Sequence, residues 1–357
     1  MQDQAVDVRA GEELNQEQLT QYLLKHVPNF TRINAIRQFP GGFSNLTYLL
    51  ETNLGEWVLR RPPKGAKIKS AHDMGREFRV LEKLQPIYGR IPAPIHLCED
   101  EAELGYSFYT MERVKGIILR NKPPKGVDLS ERQMRAISEA TIDNLALLHQ
   151  IDIDATSVRD IGKPEGYVKR QVEGWIKRYR NAQTDDIQSM DEVAEWMLAK
   201  QPEDGPAGLI HNDYKYDNLV LDQEEPARIL AVLDWEMATV GDTRMDLGTT
   251  LAYWTESAEA KLMQLAAGNL TWLPGNLNRE EVVERYQQTT GQELGPVLFY
   301  YVYGAFKIAV IVQQIYRRWK QGHSKDPRFG GLIHAVHYFG NLAQMAIEKD
   351  RISRLIA

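Results

Sequence analysis

Leu209-Ile210-His211-Asn212-Asp213-Tyr214-Lys215-Tyr216-Asp217-Asn218-Leu219-Val220, followed further on by Val232-Leu233-Asp234-Trp235-Glu236, is the part of this 357-residue chain whose reading decides the fold. Asp213 stands in a polar loop after an apolar run, where a carboxylate can face a cleft. Asn218 follows five residues later and offers an amide oxygen, a donor suited to a hard cation. Asp234 ends a second apolar strand and offers a carboxylate to the same cation. Mg²⁺ commonly takes one or two protein ligands and fills its shell with water and phosphate oxygens, so one Asn and one Asp suffice. Lys215 adds a positive charge two residues past Asp213, where it can neutralise a migrating phosphoryl group.

His211-x-Asp213-x-Lys215-x-x-Asn218 resembles the catalytic loop of protein kinases and of the related aminoglycoside and choline phosphotransferases. Asp234-Trp235-Glu236 resembles that family's metal-binding Asp segment, with Trp-Glu where protein kinases carry Phe-Gly. The resemblance implies an α+β, two-lobed, protein-kinase-like fold with ATP as phosphoryl donor and Mg²⁺ as cofactor. It assigns Asp213 to the acceptor hydroxyl, with Lys215 beside it, and Asn218 and Asp234 to the metal. His211 is expected to be a buried organiser of the loop. Asp246, in Asp246-Leu247-Gly248, is expected to brace the loop or to cap the helix that follows.

The first half of the chain carries weaker matches in the same order. Gly41-Gly42-Phe43-Ser44-Asn45, between two strand-like runs, resembles the phosphate-covering loop, which implicates Gly42, Ser44 and Asn45 in nucleotide binding. Val58-Leu59-Arg60 occupies the place of the kinase strand lysine. Arg60 is a departure, although a guanidinium can also grip phosphates. Glu77, on the one prominent helix of this region, is the expected ion-pair partner of Arg60. Phe108-Tyr109-Thr110-Met111-Glu112-Arg113-Val114 resembles the hinge that meets adenine through backbone groups, which implicates Met111, Glu112 and Val114.

The pattern of elements agrees with that plan. Strand-like runs at Ile33–Phe39, Leu46–Glu51 and Glu56–Arg60 are separated by Pro-Gly-Gly and Asn-Leu-Gly turns, a meander signature. A helical period follows over Ser70–Leu84, then strand-like runs at Ala93–Glu99 and Tyr106–Val114. Helices dominate after Gly116. The expected organisation is an N-lobe with a small mixed sheet over 1–112, a hinge at 113–116 and a helical C-lobe over 117–357.

Composition narrows the function classes. The formal net charge of −6 argues against a nucleic-acid partner, whose phosphates call for surplus Lys and Arg. The single cysteine, Cys98, forms no internal disulfide and is read as a small buried hydrophobe, which suits a reducing, cytoplasmic setting. The first residues lack the basic and apolar regions of a signal peptide. The apolar stretch Leu298–Val312 is interrupted by Lys307 and too short to span a bilayer, so no membrane partner is expected.

The acceptor is expected to be a small molecule carrying a hydroxyl. Asp246-Leu247-Gly248 arrives 12 residues after Asp234, which leaves no room for a protein-kinase activation segment. Lys307, Arg317, Arg318, Lys320 and Lys325, with Lys169, Arg170, Lys177, Arg178 and Arg180 and interleaved aromatics, read either as helix core with a solvated basic face or as a pocket for an anionic or acyl acceptor. Polycationic aminoglycosides fit this poorly. Val58-Leu59-Arg60-Arg61-Pro62-Pro63-Lys64-Gly65, Arg76-Glu77-Phe78 and Asp234-Trp235-Glu236-Met237-Ala238-Thr239-Val240-Gly241-Asp242 resemble the kinase-like domains fused to some acyl-CoA dehydrogenases, which implies a hydroxylated acyl acceptor. Arg61, Lys64, Lys67 and Lys69 are then candidates for nucleotide or CoA phosphates. A second reading, of a different class, is a nucleotide-binding pseudokinase acting as a regulatory or scaffold module; Arg60 for Lys and Trp-Glu for Phe-Gly are its support.

Overall fold

The computed structural model describes residues 4–40, 45–63, 73–259, 269–323 and 326–356. Gly42 and Ser44 of the expected phosphate-covering loop, and Lys64, Lys67, Lys69 and Lys325 among the basic residues, lie outside the described residues. The chain divides into two compact units: Met1–Ile118 with Val220–Asp222 and Leu230–Glu236, and Leu119–Leu219 with Gln223–Ile229 and Met237–Ala357.

The first unit is built on a five-stranded sheet. Its strands are β1 (Ile33–Gln38), β2 (Leu46–Thr52), β3 (Gly55–Arg61), β4 (Pro94–Cys98) and β5 (Phe108–Glu112), in the order β1-β2-β3-β5-β4. All four pairings are antiparallel, so the expected mixed sheet is corrected to an antiparallel one. The meander supplies the first three strands. Helix α2 (Met74–Leu84) and the β4–β5 pair return the chain against β3 in the opposite direction.

Side-chain alternation divides the faces of this sheet. Tyr48 pairs with Leu59 and Leu50 with Trp57, and all four enter a buried cluster with Leu19, Tyr22 and Leu23 of α1 (Gln16–His26). Burying a large apolar side chain contributes about 1.5–3 kcal/mol each, so this cluster ties α1 to the sheet. Cys98 joins it, 2% exposed, as the small hydrophobe expected. Val58 and Arg60, at the alternate positions of β3, therefore face away from α1. Asp73 caps α2 by accepting from the Arg76 N–H at 2.8 Å. Between β4 and β5 the chain makes a one-turn helix, α3 (Glu101–Leu104), capped by Asp100.

The second unit holds α4 (Glu131–His149), α5 (Tyr167–Ala182), α6 (Gln188–Lys200), α7 (Thr243–Tyr253), α8 (Arg279–Thr290), α9 (Leu298–Lys320) and α10 (Leu332–Lys349). A two-stranded antiparallel pair, β6 (Ala207–Ile210) with β9 (Thr239–Asp242), flanks the His211–Asn218 sequence; the sequence pattern does not reveal β9. Strands β7 (Leu219–Leu221) and β8 (Ile229–Val232), most of whose residues belong to the first unit, form a second small pair.

Helix α9 runs 23 residues, beyond the Val312 limit read from the sequence, so by length and composition it could cross a bilayer. Its most apolar window is 72% buried inside the unit, as a core helix is. Phe299, Tyr300, Tyr301, Tyr303 and Phe306 are all buried. Close packing of α9 on α7 depends on glycine. A Cβ at Gly248 would strike the Tyr300 carbonyl, and one at Gly304 would strike the Gly248 carbonyl.

Candidate active site

In the first unit, Arg60 sits where the sheet faces α2. Its Nη1 donates to Glu77 Oε1 at 2.5 Å, which is the ion pair expected from sequence. Nη1 and Nη2 each lie 3.2 Å from Asp234 Oδ1, and Glu236 Oε2 is 3.7 Å from Nη2. Burial alone would lower the Arg60 pKa. Glu77, Tyr109, Asp234 and Glu236 outweigh it and hold the guanidinium well above its ordinary value. Arg60 is therefore a fixed cation among three carboxylates, and its buried Nε has no hydrogen-bond partner among the described residues.

Asp234 adopts a left-handed backbone conformation (φ +66°), an uncommon state for a residue with a Cβ, held here by its neighbours. Oδ1 is engaged by Arg60, and the side chain is 35% exposed. Asn45, at the end of the Gly-rich segment, donates from Nδ2 to Glu236 Oε2 at 3.2 Å. That contact joins the end of the Gly-rich segment to Asp234-Trp235-Glu236, and nothing in the sequence singles out Glu236 for it. Met111 is buried in β5, and the Glu112 N–H donates to the Ala93 carbonyl at 2.8 Å. Glu56 holds the following segment through Arg113 (2.6 Å) and Lys115 (2.9 Å), and Val114 between them is partly buried.

In the second unit, three predicted residues come together within the loop between β6 and β7. Lys215 Nζ reaches both Asp213 carboxylate oxygens, at 3.0 and 2.9 Å. Asn218 Nδ2 donates to the Asp213 carbonyl and to Asp213 Oδ2, both at 2.9 Å. With its N–H donors so engaged, the amide of Asn218 turns its oxygen away from Asp213. Lys215 also lies over the Tyr253 ring, 4.6 Å from the centroid. Burial pushes the Asp213 carboxyl up, but the Lys215 charge and its hydrogen bonds to Lys215 and Tyr253 prevail, and it titrates below the usual carboxylate range. Burial alone would lower the Lys215 pKa. The nearby Asp213, Tyr253 and Asp217 override it, and Lys215 titrates well above the usual lysine value.

The loop is braced from beneath. Asp246, fully buried, accepts from the backbone N–H groups of His211 and Asn212, each at 2.7 Å, and contacts His149 Nε2 at 3.1 Å. His211 is buried, and its Nδ1 accepts from the Asp213 N–H at 3.2 Å, the organiser role expected of it. Asp246 therefore braces the loop. The alternative of an N-cap is corrected: Asp242 caps α7 by accepting from the Arg244 N–H at 2.9 Å.

The basic residues divide in two. Lys320 pairs with Asp185 at 2.9 Å, Arg317 donates to the Asn181 carbonyl, and Arg178 stacks over Trp175 at 4.6 Å. With the aromatics in the core, these residues are helix core and solvated face. Lys307 is the exception, because it is buried and turned onto the loop that carries Asp213.

A model of the phosphotransferase enzyme family matches residues 35–279. The chain belongs to this family. Human acyl-CoA dehydrogenase family member 11 is 32% identical to it over 331 residues, 90% of the chain and 41% of the relative. Mouse acyl-CoA dehydrogenase family member 10 is 35% identical over 293 residues, 81% of the chain and 27% of the relative. The chain thus spans about two fifths or less of the length of these relatives. Among solved structures, a Ralstonia eutropha protein named provisionally as an aminoglycoside phosphotransferase superposes with a TM-score of 0.78 at 29% identity, covering 94% of this chain and 99% of that one. A spectinomycin phosphotransferase in complex with ADP and spectinomycin shares the fold, with a TM-score of 0.55 at 12% identity, covering 91% and 94%. Together these place the phosphotransferase family's protein-kinase-like α+β fold on this chain.

Proposed function

We propose that this chain transfers the γ-phosphoryl group of ATP to a hydroxyl of a small molecule, with Mg²⁺ as cofactor and in the cytoplasm. The observation that carries this reading is the Asp213 carboxylate held ionised by Lys215 and hydrogen-bonded by Asn218, within a chain that belongs to the phosphotransferase enzyme family. The ADP complex of a protein with the same fold supports an adenine nucleotide as donor.

The donor set suits Mg²⁺, because Asp234 and Asn218 offer one carboxylate and one amide oxygen, both hard ligands. When bound, Mg²⁺ supplies charge that offsets the phosphate oxygens and orients them. Asp213 orients the acceptor hydroxyl and takes its proton as the new O–P bond forms and the β–γ bridging bond breaks, releasing ADP. Lys215 keeps Asp213 ionised and adds positive charge beside the transfer. Arg60, fixed by Glu77, grips the donor phosphates. Gly42, Ser44 and Asn45 cover them, and Met111, Glu112 and Val114 border the base.

The acceptor proposed is a hydroxylated acyl group, as on a CoA thioester. The motif resemblance and the two acyl-CoA dehydrogenase family relatives support it. The test is ADP release with hydroxyacyl-CoAs, sugars, amino alcohols and aminoglycosides in parallel. Turnover on hydroxyacyl-CoAs is expected, whereas Mg·ATP binding with no turnover on any acceptor would replace this reading by the pseudokinase one.

Arg60 gives a graded test. Arg60→Lys is expected to stay within roughly tenfold of wild-type turnover, about 1.4 kcal/mol, because the charge between Glu77 and Asp234 survives. Arg60→Ala is expected to cost considerably more, since it leaves Glu77 buried without its cation. Steady-state ADP release decides, and equal kinetics for Arg60→Ala and wild type would remove Arg60 from the site.

A further inference from the structure

Lys307 lies 95 residues from the catalytic loop in sequence, on the central helix α9, yet only 1% of it is exposed. Its Nζ donates to the Asn212 carbonyl at 2.7 Å and to Asn212 Oδ1 at 3.0 Å. Asn212 is the residue just before Asp213 and has φ +67°, a left-handed conformation with a cost of its own. Every polar group of Asn212 is held. Its backbone N–H goes to Asp246, its carbonyl and side-chain oxygen receive Lys307, and its Nδ2 donates to Tyr167 Oη and the Met237 carbonyl, each at 3.2 Å.

The carbonyl that Lys307 grips belongs to the peptide group whose N–H is that of Asp213, and that N–H points at His211 Nδ1. A peptide group is planar, so fixing its C=O fixes its N–H and the direction in which the chain enters Asp213. We infer that Lys307 is a positioning residue for phosphoryl transfer: through the Asn212–Asp213 peptide it sets the orientation of the Asp213 carboxylate. Burying a lysine is costly, and an apolar residue would fill α9 at lower cost, so its retention here has to be explained by what Nζ holds. Burial brings its pKa down to about 8; Asp246 and Asp213 face it with negative charge and work against that shift, while Lys215 and Arg178 add to it. The Trp175 ring of α5 covers it, 5.9 Å from Nζ.

The inference rests on the assignment of Asp213 to the acceptor, and the test separates the two. ADP release from Mg·ATP is measured with water as the acceptor, and Mg·ATP affinity by calorimetric titration, for wild type, Lys307→Met, Lys307→Gln and Asp213→Asn. Lys307→Met fills the space but donates nothing. It is expected to lower turnover at saturating Mg·ATP at least about tenfold while leaving nucleotide affinity within about threefold, a split that loss of general stability would not give. Lys307→Gln keeps an N–H donor group and is expected to recover most of that loss. A folded Lys307→Met with wild-type turnover, or a Lys307→Gln as slow as Lys307→Met, overturns the inference. Should Lys307→Met not fold, Lys307→Ala is assayed with and without added propylamine, which replaces the missing atoms and their N–H donors to the Asn212 carbonyl. Turnover restored by the amine with unchanged affinity supports the inference, and wild-type turnover without the amine, or no gain with it, overturns it. Full turnover in Asp213→Asn instead brings down the assignment of Asp213, and Lys307 with it.

Discussion

Asp234→Ala is expected to abolish Mg²⁺-dependent ATP binding at physiological Mg²⁺. The proposed metal site has one carboxylate, Asp234, which with Asn218 would hold Mg²⁺ to offset the phosphate charge, so loss of that anionic ligand is not made good by an amide oxygen alone. The first unit is expected to survive the change, because Arg60 keeps its shorter contact with Glu77 when Asp234 is truncated. Some stability is lost all the same. Alanine at φ +66° costs about 1–2 kcal/mol, and asparagine tolerates that conformation better. Asp234→Asn is therefore the control that separates backbone strain from metal loss. It should fold like wild type and still bind Mg·ATP much more weakly. A calorimetric titration that returned the wild-type dissociation constant for Asp234→Ala would remove Asp234 from the metal site.

Asp213→Asn is expected to leave Mg·ATP affinity nearly intact and to lower turnover by at least about 10²-fold, the usual consequence of removing a positioned base. Asparagine preserves the shape of the side chain, and the loop keeps the Asp246 and His211 contacts to its backbone. What disappears is the charge. The amide put in its place would accept no proton from the acceptor and would leave Lys215 without the carboxylate that both its short contacts reach. Phosphoryl transfer depends chiefly on positioning and charge neutralisation, so a residual rate should persist. The neighbouring Asp217 is the alternative base if turnover were unaffected. Burial pushes its carboxyl up, and Asp213 adds to this, while Lys215 opposes it. Loss of folding or of ATP binding in Asp213→Asn would instead make Asp213 a structural residue.

The parts of the site legible in the sequence are those fixed locally. Asp213, Lys215 and Asn218 fall within six residues, and their mutual contacts are set by one loop, so spacing alone brings them together. Arg60 and Glu77 are legible for a different reason. Strand alternation puts Arg60 opposite the α1 cluster, and the next helix supplies one well-placed carboxylate. Lys307 is not legible. In sequence it looks like any basic residue of a helix that ends in Arg317, Arg318 and Lys320, and only the packing of α9 shows that it is buried on the loop, whereas Lys320 reaches Asp185. An isolated lysine inside an otherwise apolar helix is the available signal, and in sequence it reads as an interruption. Strand β9 escapes because four residues with a terminal Gly-Asp carry too little alternation to stand out beside a helix start. The antiparallel order of the sheet is a pairing property, which no single run of residues encodes.

The central claim is that this chain moves a phosphoryl group from ATP to a small-molecule hydroxyl through Asp213. The most direct measurement follows γ-labelled ATP with hydroxyacyl-CoA acceptors and detects the product by mass spectrometry. The account predicts label on the acceptor hydroxyl with the wild-type chain and Mg²⁺, at least about a hundredfold less with Asp213→Asn, and none without Mg²⁺. Label appearing equally with Asp213→Asn, or bound Mg·ATP that never yields a labelled product with any acceptor, would contradict it.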